Sequence, residues 1–180
     1  MALIYITGVA GSGKSTVRQE LIRRDFKTVE VDDRLAQFYN NMTGRAVTRP
    51  VHAVDRSPKW RQEHTWKISR VLMERLEKEY SEIDIFVCGT ASNEIEVSDL
   101  FGMVFALTLE LKTLKERIDN RSENSFGKSS HEWRTIIEWY NRAPKDFAAL
   151  GAIPIDSTLP TINVVDNILS LYSQKRSLDT

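Results

Sequence analysis

One stretch near the N-terminus decides the fold, and it reads Gly8-Val9-Ala10-Gly11-Ser12-Gly13-Lys14-Ser15-Thr16. It matches the pattern G-x-x-x-x-G-K-[ST], in which glycines allow successive backbone N–H groups to turn towards a phosphate. An apolar run at residues 3–7 precedes it, and residues 14–24, with apolar side chains at helical spacing, follow it. This strand–loop–helix order favours a phosphate-binding loop over a glycine-rich turn that only resembles one.

Two side chains of the loop suit a nucleoside triphosphate bound with Mg²⁺. Lys14 supplies a cation for the outer phosphates, and the hydroxyl of Ser15 can bind Mg²⁺. The positive end of the helix that follows adds to the attraction for phosphate. We therefore expect ATP and Mg²⁺ as cofactors, with the nucleotide bound by Gly8, Gly11, Ser12, Gly13, Lys14, Ser15 and Thr16.

Apolar runs alternate with helix-like segments along the rest of the chain, which is typical of an α/β fold with a largely parallel sheet. The predicted strands are residues 3–7, 28–31, 83–88, 103–109 and 152–155. The spacing also predicts a short helix over 33–39 and one long helix from Pro58 to Tyr80. Ser129 and Glu132 have the spacing of a capping box, and they open a helix that Pro144 ends or kinks.

Composition and charge exclude several classes of protein. Lys and Arg number 25, as do Asp and Glu, and this zero net charge argues against a protein that coats nucleic acid. The single cysteine, Cys88, excludes an intramolecular disulfide and a multi-cysteine metal site. No apolar run is long enough to span a membrane, and no basic residue precedes the apolar N-terminus as in a signal peptide. We expect a cytoplasmic protein whose partner is a small molecule, with no membrane or nucleic-acid partner and with its oligomeric state open.

Two acidic residues follow the second predicted strand, Asp32 and Asp33. The carboxyl ends of parallel strands line the ligand crevice, where an acid can bind Mg²⁺ or accept a proton from an attacking hydroxyl. The third predicted strand has no acid at its carboxyl end, since Asp84 lies near its start, and this favours Asp32 as the catalytic acid and metal ligand. Asp33 is assigned to the substrate site, and a helix N-cap is the alternative role for one of the two residues.

Arg117 and Arg121 lie four positions apart and precede a polar segment that contains Gly127. Arginines beside a mobile lid can neutralise a transferring phosphoryl group while the lid excludes water. We expect both to be catalytic, with Arg117 also contacting the nucleotide. An ordinary solvated helix face is the alternative interpretation.

The segment between the second strand and the long helix is rich in cations, including Arg45 and Arg61, and Trp60 lies beside Arg61. Such a group suits an anionic acceptor with a ring to stack on, although a charged surface loop would look similar. Gly89 follows the third strand and would allow close approach beside the phosphate loop. The predicted substrate residues are therefore Asp33, Arg45, Arg61 and Gly89. The expected organisation is a single domain, residues 1–180, with an acceptor-binding excursion at 36–61 and a lid at 118–131.

Together these residues resemble the small P-loop kinases, a group that includes nucleoside and nucleotide kinases, shikimate kinase and gluconate kinase. The resemblance covers nearly the whole chain. It implies a three-layer fold with a five-stranded parallel sheet in the order 2-3-1-4-5 and a role for Asp156 beside the nucleotide base. It also implies ATP- and Mg²⁺-dependent phosphoryl transfer to a small acceptor, phosphorylated or nucleoside-like.

The chain departs from the group at three places. A glutamate expected three positions after Arg61 is His64, the glycine cluster after strand three is only Gly89-Thr90-Ala91, and the Asp-Gly signature of adenylate kinases does not occur. These departures argue against shikimate and AMP as acceptors. Two alternatives stay open: a regulatory nucleotide-binding NTPase without a small acceptor, and a kinase of a sugar or another metabolite.

Overall fold

The computed structural model describes residues 2–50, 57–122 and 126–178. Its strands are, in chain order, β1 (Leu3–Gly8), β2 (Thr28–Glu30), β3 (Ala36–Asn40), β4 (Ala46–Val47), β5 (His64–Ile68), β6 (Ile85–Cys88), β7 (Met103–Thr108) and β8 (Ile153–Asp156). The helices are α1 (Lys14–Arg23), α2 (Pro58–Glu63), α3 (Arg70–Glu79), α4 (Leu111–Asn120), α5 (Ser130–Ala149) and α6 (Thr161–Leu178). A π-helical turn, Val31–Leu35, follows β2, and a 3₁₀ turn, Ile95–Leu100, precedes β7.

Five strands form one parallel sheet in the order β2-β6-β1-β7-β8. Numbered by their occurrence within this sheet, the order is 2-3-1-4-5, so the predicted fold class is confirmed. Alternate residues of the central strand face opposite sides: Tyr5 packs towards α3, and Ile4 and Ile6 pack towards α1 and α6. Burying both faces removes a large apolar area from water, which stabilises the sheet.

A third apolar cluster packs the phosphate loop against α4 and α5, and it comprises Val9, Leu114, Ile118, Ile136 and Ala143. Gly11 belongs to this contact, since a Cβ on it would lie 2.9 Å from Cδ1 of Leu114 and its φ is +91°. Only glycine accepts both the positive φ and the close approach without strain. The loop therefore rests directly on α4, the helix that bears Arg117.

A second, antiparallel sheet has the order β4-β3-β5 and forms the excursion between β2 and α3. The prediction of a helix over 33–39 was wrong, because a π-helical turn and β3 occupy this segment. The predicted long helix from Pro58 to Tyr80 was also wrong. It is divided into α2, β5 and α3, with Ser69 capping α3 by accepting a hydrogen bond from the N–H of Leu72.

Helix α5 begins at the predicted capping box and continues past Pro144. The capping box is confirmed, since the Ser129 hydroxyl accepts from the N–H of Glu132 at 3.3 Å, but α5 continues through Pro144 to Ala149.

Part of the predicted excursion, 51–56, and part of the predicted lid, 123–125, lie outside the described residues. Within the described ranges, no helix has the length and apolar character that crossing a bilayer requires.

Candidate functional site

The phosphate loop joins the carboxyl end of β1 to the first turn of α1. The N–H of Ser12 donates to the carbonyl of Val9 at 3.0 Å, and the N–H of Val17 donates to that of Gly13 at 2.9 Å. Gly8 permits the tight start of the loop, because a Cβ there would lie 2.5 Å from Oγ of Ser12. The backbone N–H groups at the start of α1 are therefore available to an anion, as in other helix N-termini that bind phosphate.

The ammonium of Lys14 lies against this loop. Its Nζ donates to the carbonyls of Gly8 at 2.6 Å and Val9 at 3.1 Å. Burial lowers the pKa of Lys14 to about 8, while the negative charges of Glu94 and Asp32 oppose that shift. The ammonium is thus held among loop carbonyls that a bound phosphate would compete with.

A cavity of about 600 Å³ opens beside the loop. It is lined by loop and α1 residues, by the end of α4 and by the connection from β8 into α6, namely Gly11, Ser12, Gly13, Lys14, Ser15, Thr16, Val17, Arg117, Asn120, Arg121, Ser122, Ser157, Leu159, Thr161 and Val164. Its wall combines the charged and hydroxyl groups of Lys14, Ser15, Arg117 and Arg121 with the apolar side chains of Val17, Leu159 and Val164. That combination matches a nucleotide, which has phosphates at one end and a planar base at the other.

The two predicted arginines both line this cavity, but their contacts differ. Arg117 donates to the carbonyl of Ser12 at 3.3 Å and to that of Ser157 at 2.6 Å, and so joins the loop to the β8–α6 connection. Arg121 donates through Nη2 to the carbonyl of Phe126, and its buried Nε has no hydrogen-bond partner among the described residues. Burial lowers the pKa of Arg121. A buried donor without a partner is costly, which leaves Arg121 with capacity to bind an anion.

A second cavity, of about 350 Å³, lies between the π-helical turn and the small sheet. It is lined by Asp32, Ala36, Gln37, Phe38, Ala46, Val47, Thr48, Arg49 and Trp66. Asp32 accepts a 3.1 Å hydrogen bond from the indole N–H of Trp66, and the guanidinium of Arg49 lies 5.9 Å from the centre of the Trp66 ring. This cavity therefore combines an oriented carboxylate, aromatic surface and a cation.

The four residues predicted to contact the substrate do not line either of these cavities. Arg45 and Asp33 are exposed, with Arg45 in the β3–β4 turn. Arg61 is exposed on α2, and its charge helps to lower the pKa of Glu132. Gly89 packs against Val31, because a Cβ on it would lie 2.4 Å from that of Val31.

Asp156 lies at the end of β8 and does not face the nucleotide-sized cavity. Its carboxylate accepts from the N–H of Thr158 at 2.8 Å and from the hydroxyl at 2.6 Å, and these bonds lower its pKa. It lines a separate cavity with Tyr140 and Glu110. The neighbouring Ser157 lines the nucleotide-sized cavity, and its carbonyl accepts a hydrogen bond from Arg117.

Sequence reasoning missed Trp66 and Glu94, and it counted Arg49 only as one cation of the group between residues 40 and 61. Trp66 was assigned to a helix, so nothing in the local pattern directed it towards Asp32. Glu94 follows β6 by six positions and is buried, where its carboxylate accepts from Tyr5, Thr7, Thr90 and the N–H of Ala91. An acid soon after the carboxyl end of a central strand was the available signal.

The donors for a metal ion are few but suitable for Mg²⁺. No group of three or more His, Cys, Asp and Glu among the described residues is arranged to hold a metal. Mg²⁺ keeps several waters and is usually held by one or two protein oxygens together with substrate phosphates. Ser15, exposed in the first turn of α1, and Asp32, whose charge acts on Lys14, fit that requirement and would hold the ion.

Several solved structures share this fold. Shikimate kinase from Acinetobacter baumannii in complex with shikimate has 15% identity and a TM-score of 0.59, covering 97% of this chain and 94% of that one. A gluconokinase from Sinorhizobium meliloti has 13% identity and a TM-score of 0.57, covering 98% and 95%. Deoxyadenosine kinase from M. mycoides with bound dATP has 14% identity and a TM-score of 0.54, covering 95% and 99%.

One of the two sequence comparisons finds a match. No curated protein matches the chain. The family described as AAA domain matches residues 4–137, a span that begins in β1 and ends in α5. This span exceeds half of the chain and includes the phosphate loop, both arginines and Asp32, so the protein belongs to the AAA domain family and has the fold of the small P-loop kinases.

Proposed function

We propose that the protein is an ATP- and Mg²⁺-dependent phosphotransferase that phosphorylates a hydroxyl group of a small anionic acceptor. The larger cavity would bind the nucleotide and the smaller one the acceptor. A nucleoside monophosphate is the preferred acceptor class, because it offers a free sugar hydroxyl as the attacking group, a planar base for the aromatic wall and a negatively charged phosphate for Arg49.

The observation that carries this proposal is that Lys14, which lines the larger cavity, also responds to the charge of Asp32, which lines the smaller one. Its ammonium is attracted by Asp32, which lines the smaller cavity, and repelled by Arg121, which lines the larger. A phosphoryl group moving from one cavity to the other would pass beside this cation. Electrostatic stabilisation by pre-positioned charges is the main protein contribution to such transfers.

The residues support a direct transfer. The acceptor hydroxyl oxygen attacks the γ-phosphorus, its proton passes to the Asp32 carboxylate, and the bond from the γ-phosphorus to the bridging oxygen breaks to leave ADP. Lys14 and Arg121 neutralise the charge on the moving group, while Arg117 braces the loop. Mg²⁺, when bound with the nucleotide, supplies further charge neutralisation on the phosphates.

Asp32 is preferred to Asp33 as the proton acceptor. Asp32 lines the smaller cavity and is oriented by the Trp66 indole, whereas Asp33 does not line it. The variant Asp32→Asn separates its two predicted roles. Loss of transfer with an unchanged Mg²⁺ requirement identifies a base, and a raised Mg²⁺ requirement identifies a metal ligand.

A direct assay tests the function. Purified protein with ATP and Mg²⁺ is offered deoxycytidine, dCMP, gluconate and shikimate, and both ADP and phosphorylated acceptor are measured. We expect dCMP to be phosphorylated and Lys14→Ala to abolish the reaction without unfolding the protein. ATP hydrolysis at the same rate with and without every acceptor would instead identify a regulatory NTPase and contradict the proposal.

A further inference from the structure

A short segment after β6, residues 89–94, contacts both the base of the phosphate loop and the small sheet. On the first side, the Glu94 carboxylate accepts from the hydroxyls of Tyr5 at 3.0 Å and Thr7 at 3.1 Å. Thr7 is the residue immediately before Gly8, where the loop begins. Glu94 and Thr7 are both buried, so these bonds form away from water, where a carboxylate needs its partners.

On the second side, Asn93 and Ser92 bind the backbone of β5. The buried Asn93 amide accepts from the N–H of Ile68 at 2.8 Å and donates to the carbonyl of Ile68 at 3.0 Å. Ser92 donates to the carbonyl of Trp66 through its N–H at 3.0 Å and through its hydroxyl at 2.7 Å. Four hydrogen bonds thus reach one short strand that belongs to the smaller sheet.

We propose that residues 89–94 form a positioning clasp that holds the acceptor cavity in register with the phosphate loop, with Asn93 as its principal positioning residue. The clasp reaches β5, β5 presents Trp66, and Trp66 orients Asp32. The small sheet shares no strand with the five-stranded sheet, and the hydrogen bonds of Ser92 and Asn93 tie it to the segment that follows β6. The inference rests on the proposed function, because register matters only where two reactants must meet.

The consequence for the reaction is specific. A displacement of the acceptor by ~1 Å is expected to slow transfer by about a hundredfold, because reacting atoms must be aligned. The nucleotide cavity would keep its contacts, since no hydrogen bond among the described residues joins Arg117, Lys14 or the phosphate loop to β5. Loosening the clasp should therefore divert turnover from the acceptor to water, with little effect on nucleotide affinity. A residue that only stabilised the fold would lower both together.

Three variants test the clasp. Asn93→Ala removes both bonds to Ile68, and Ser92→Ala removes one of the two bonds to Trp66 and leaves its own N–H in place. Ser98→Ala is the matched control, because the Ser98 hydroxyl donates only to the carbonyl of Ile95 within its own turn. The probes are ATP, dCMP and an unhydrolysable ATP analogue.

The first readout is coupling, the amount of phosphorylated dCMP formed per ADP. We expect coupling and kcat/KM for dCMP to fall strongly in Asn93→Ala and more weakly in Ser92→Ala, with analogue affinity unchanged and Ser98→Ala like the wild type. Unchanged coupling in both clasp variants would overturn the clasp and leave the kinase assignment intact.

The second readout needs no acceptor. Hydrogen exchange of the Ile68 amide and of the Trp66 indole N–H should accelerate in Asn93→Ala, while the Val17 amide, which donates to Gly13, should stay as protected as in the wild type. If the Trp66 indole N–H exchanges as slowly in both clasp variants as in the wild type, the inference is wrong. If the wild type phosphorylates nothing, the proposed function fails, and this exchange measurement still decides whether the clasp sets the position of Asp32.

Discussion

Trp66 donates its indole N–H to Oδ1 of Asp32 at 3.1 Å, and the two residues lie 34 positions apart in the sequence. The bond joins β5 of the small sheet to the second residue of the π-helical turn that follows β2. It fixes Oδ1 of a carboxylate that lines the smaller cavity. The smaller cavity, which we propose binds the acceptor, is therefore shaped by a partner that is remote in sequence.

Trp66→Phe keeps an aromatic ring and removes this donor. A hydrogen bond to a charged group contributes about 1.5–3 kcal/mol, so kcat for acceptor phosphorylation should fall by roughly tenfold to a hundredfold. The KM for ATP should stay the same. Trp60→Phe is the control. The rings of Trp60 and Trp66 both pack on the Phe38 ring, with centroids 4.7 and 4.8 Å away, but among the described residues no hydrogen bond joins Trp60 to Asp32. Equal kcat values for both variants would contradict the role of the bond.

Nucleotide affinity should depend on pH through Lys14. Burial lowers its pKa to about 8, so the free protein loses this cation as the pH rises through that value. The dissociation constant of an unhydrolysable ATP analogue should therefore increase above pH 8, as calorimetry can measure. Lys14→Arg stays charged throughout this range and should remove the inflection. An inflection that persists in Lys14→Arg would assign it to another group.

Glu94→Gln should shift the same inflection to lower pH. The negative charge of Glu94 favours the protonated form of Lys14 and so raises its pKa, and removing that charge lets burial lower the pKa further. Glu96→Gln, an exposed change two positions away, is the control and should leave the inflection where it is. A shift of the inflection to higher pH in Glu94→Gln would refute this electrostatic coupling.

The two arginines of the nucleotide cavity should have different effects when removed. Arg121→Ala should lower kcat by about a hundredfold or more with a smaller change in ATP affinity, because its charge acts on the moving phosphoryl group. Arg117→Ala should mainly weaken nucleotide binding, since it joins the Ser12 and Ser157 carbonyls. Steady-state kinetics together with analogue binding separate these cases. Identical profiles for the two variants would show that the distinction is incorrect.

Arg49 should decide between charged and neutral acceptors. Arg49→Ala removes the cation above the Trp66 ring, so the KM for dCMP should rise while that for deoxycytidine should not. The comparison of one nucleoside with its own monophosphate isolates the contribution of the negative charge. Arg45→Ala is the control, because Arg45 is exposed and does not line the cavity. A larger effect from Arg45 than from Arg49 would contradict the assignment.

The sequence by itself determined the phosphate loop and the parallel sheet. Residues 8–16 are contiguous, and their glycines, lysine and serine act through local backbone geometry that a short pattern describes fully. The apolar runs that became β1, β6 and β7 are buried on both faces, so they were recognisable without knowledge of their partners. The capping box of α5 is similarly local.

Only the tertiary structure decided the acceptor side. His64–Ile68 is a strand because it pairs with Ala36–Asn40, and that pairing overrides the helical spacing that residues 58–80 show in isolation. The same pairing carries Trp66 to Asp32 and lets Asn93 bind Ile68. Contacts between residues 25 to 34 positions apart depend on how the chain folds back on itself, and the spacing of residues along the sequence does not predict that path. The nucleotide side was therefore readable from a short motif, whereas the acceptor side depended on long-range pairing in the folded chain.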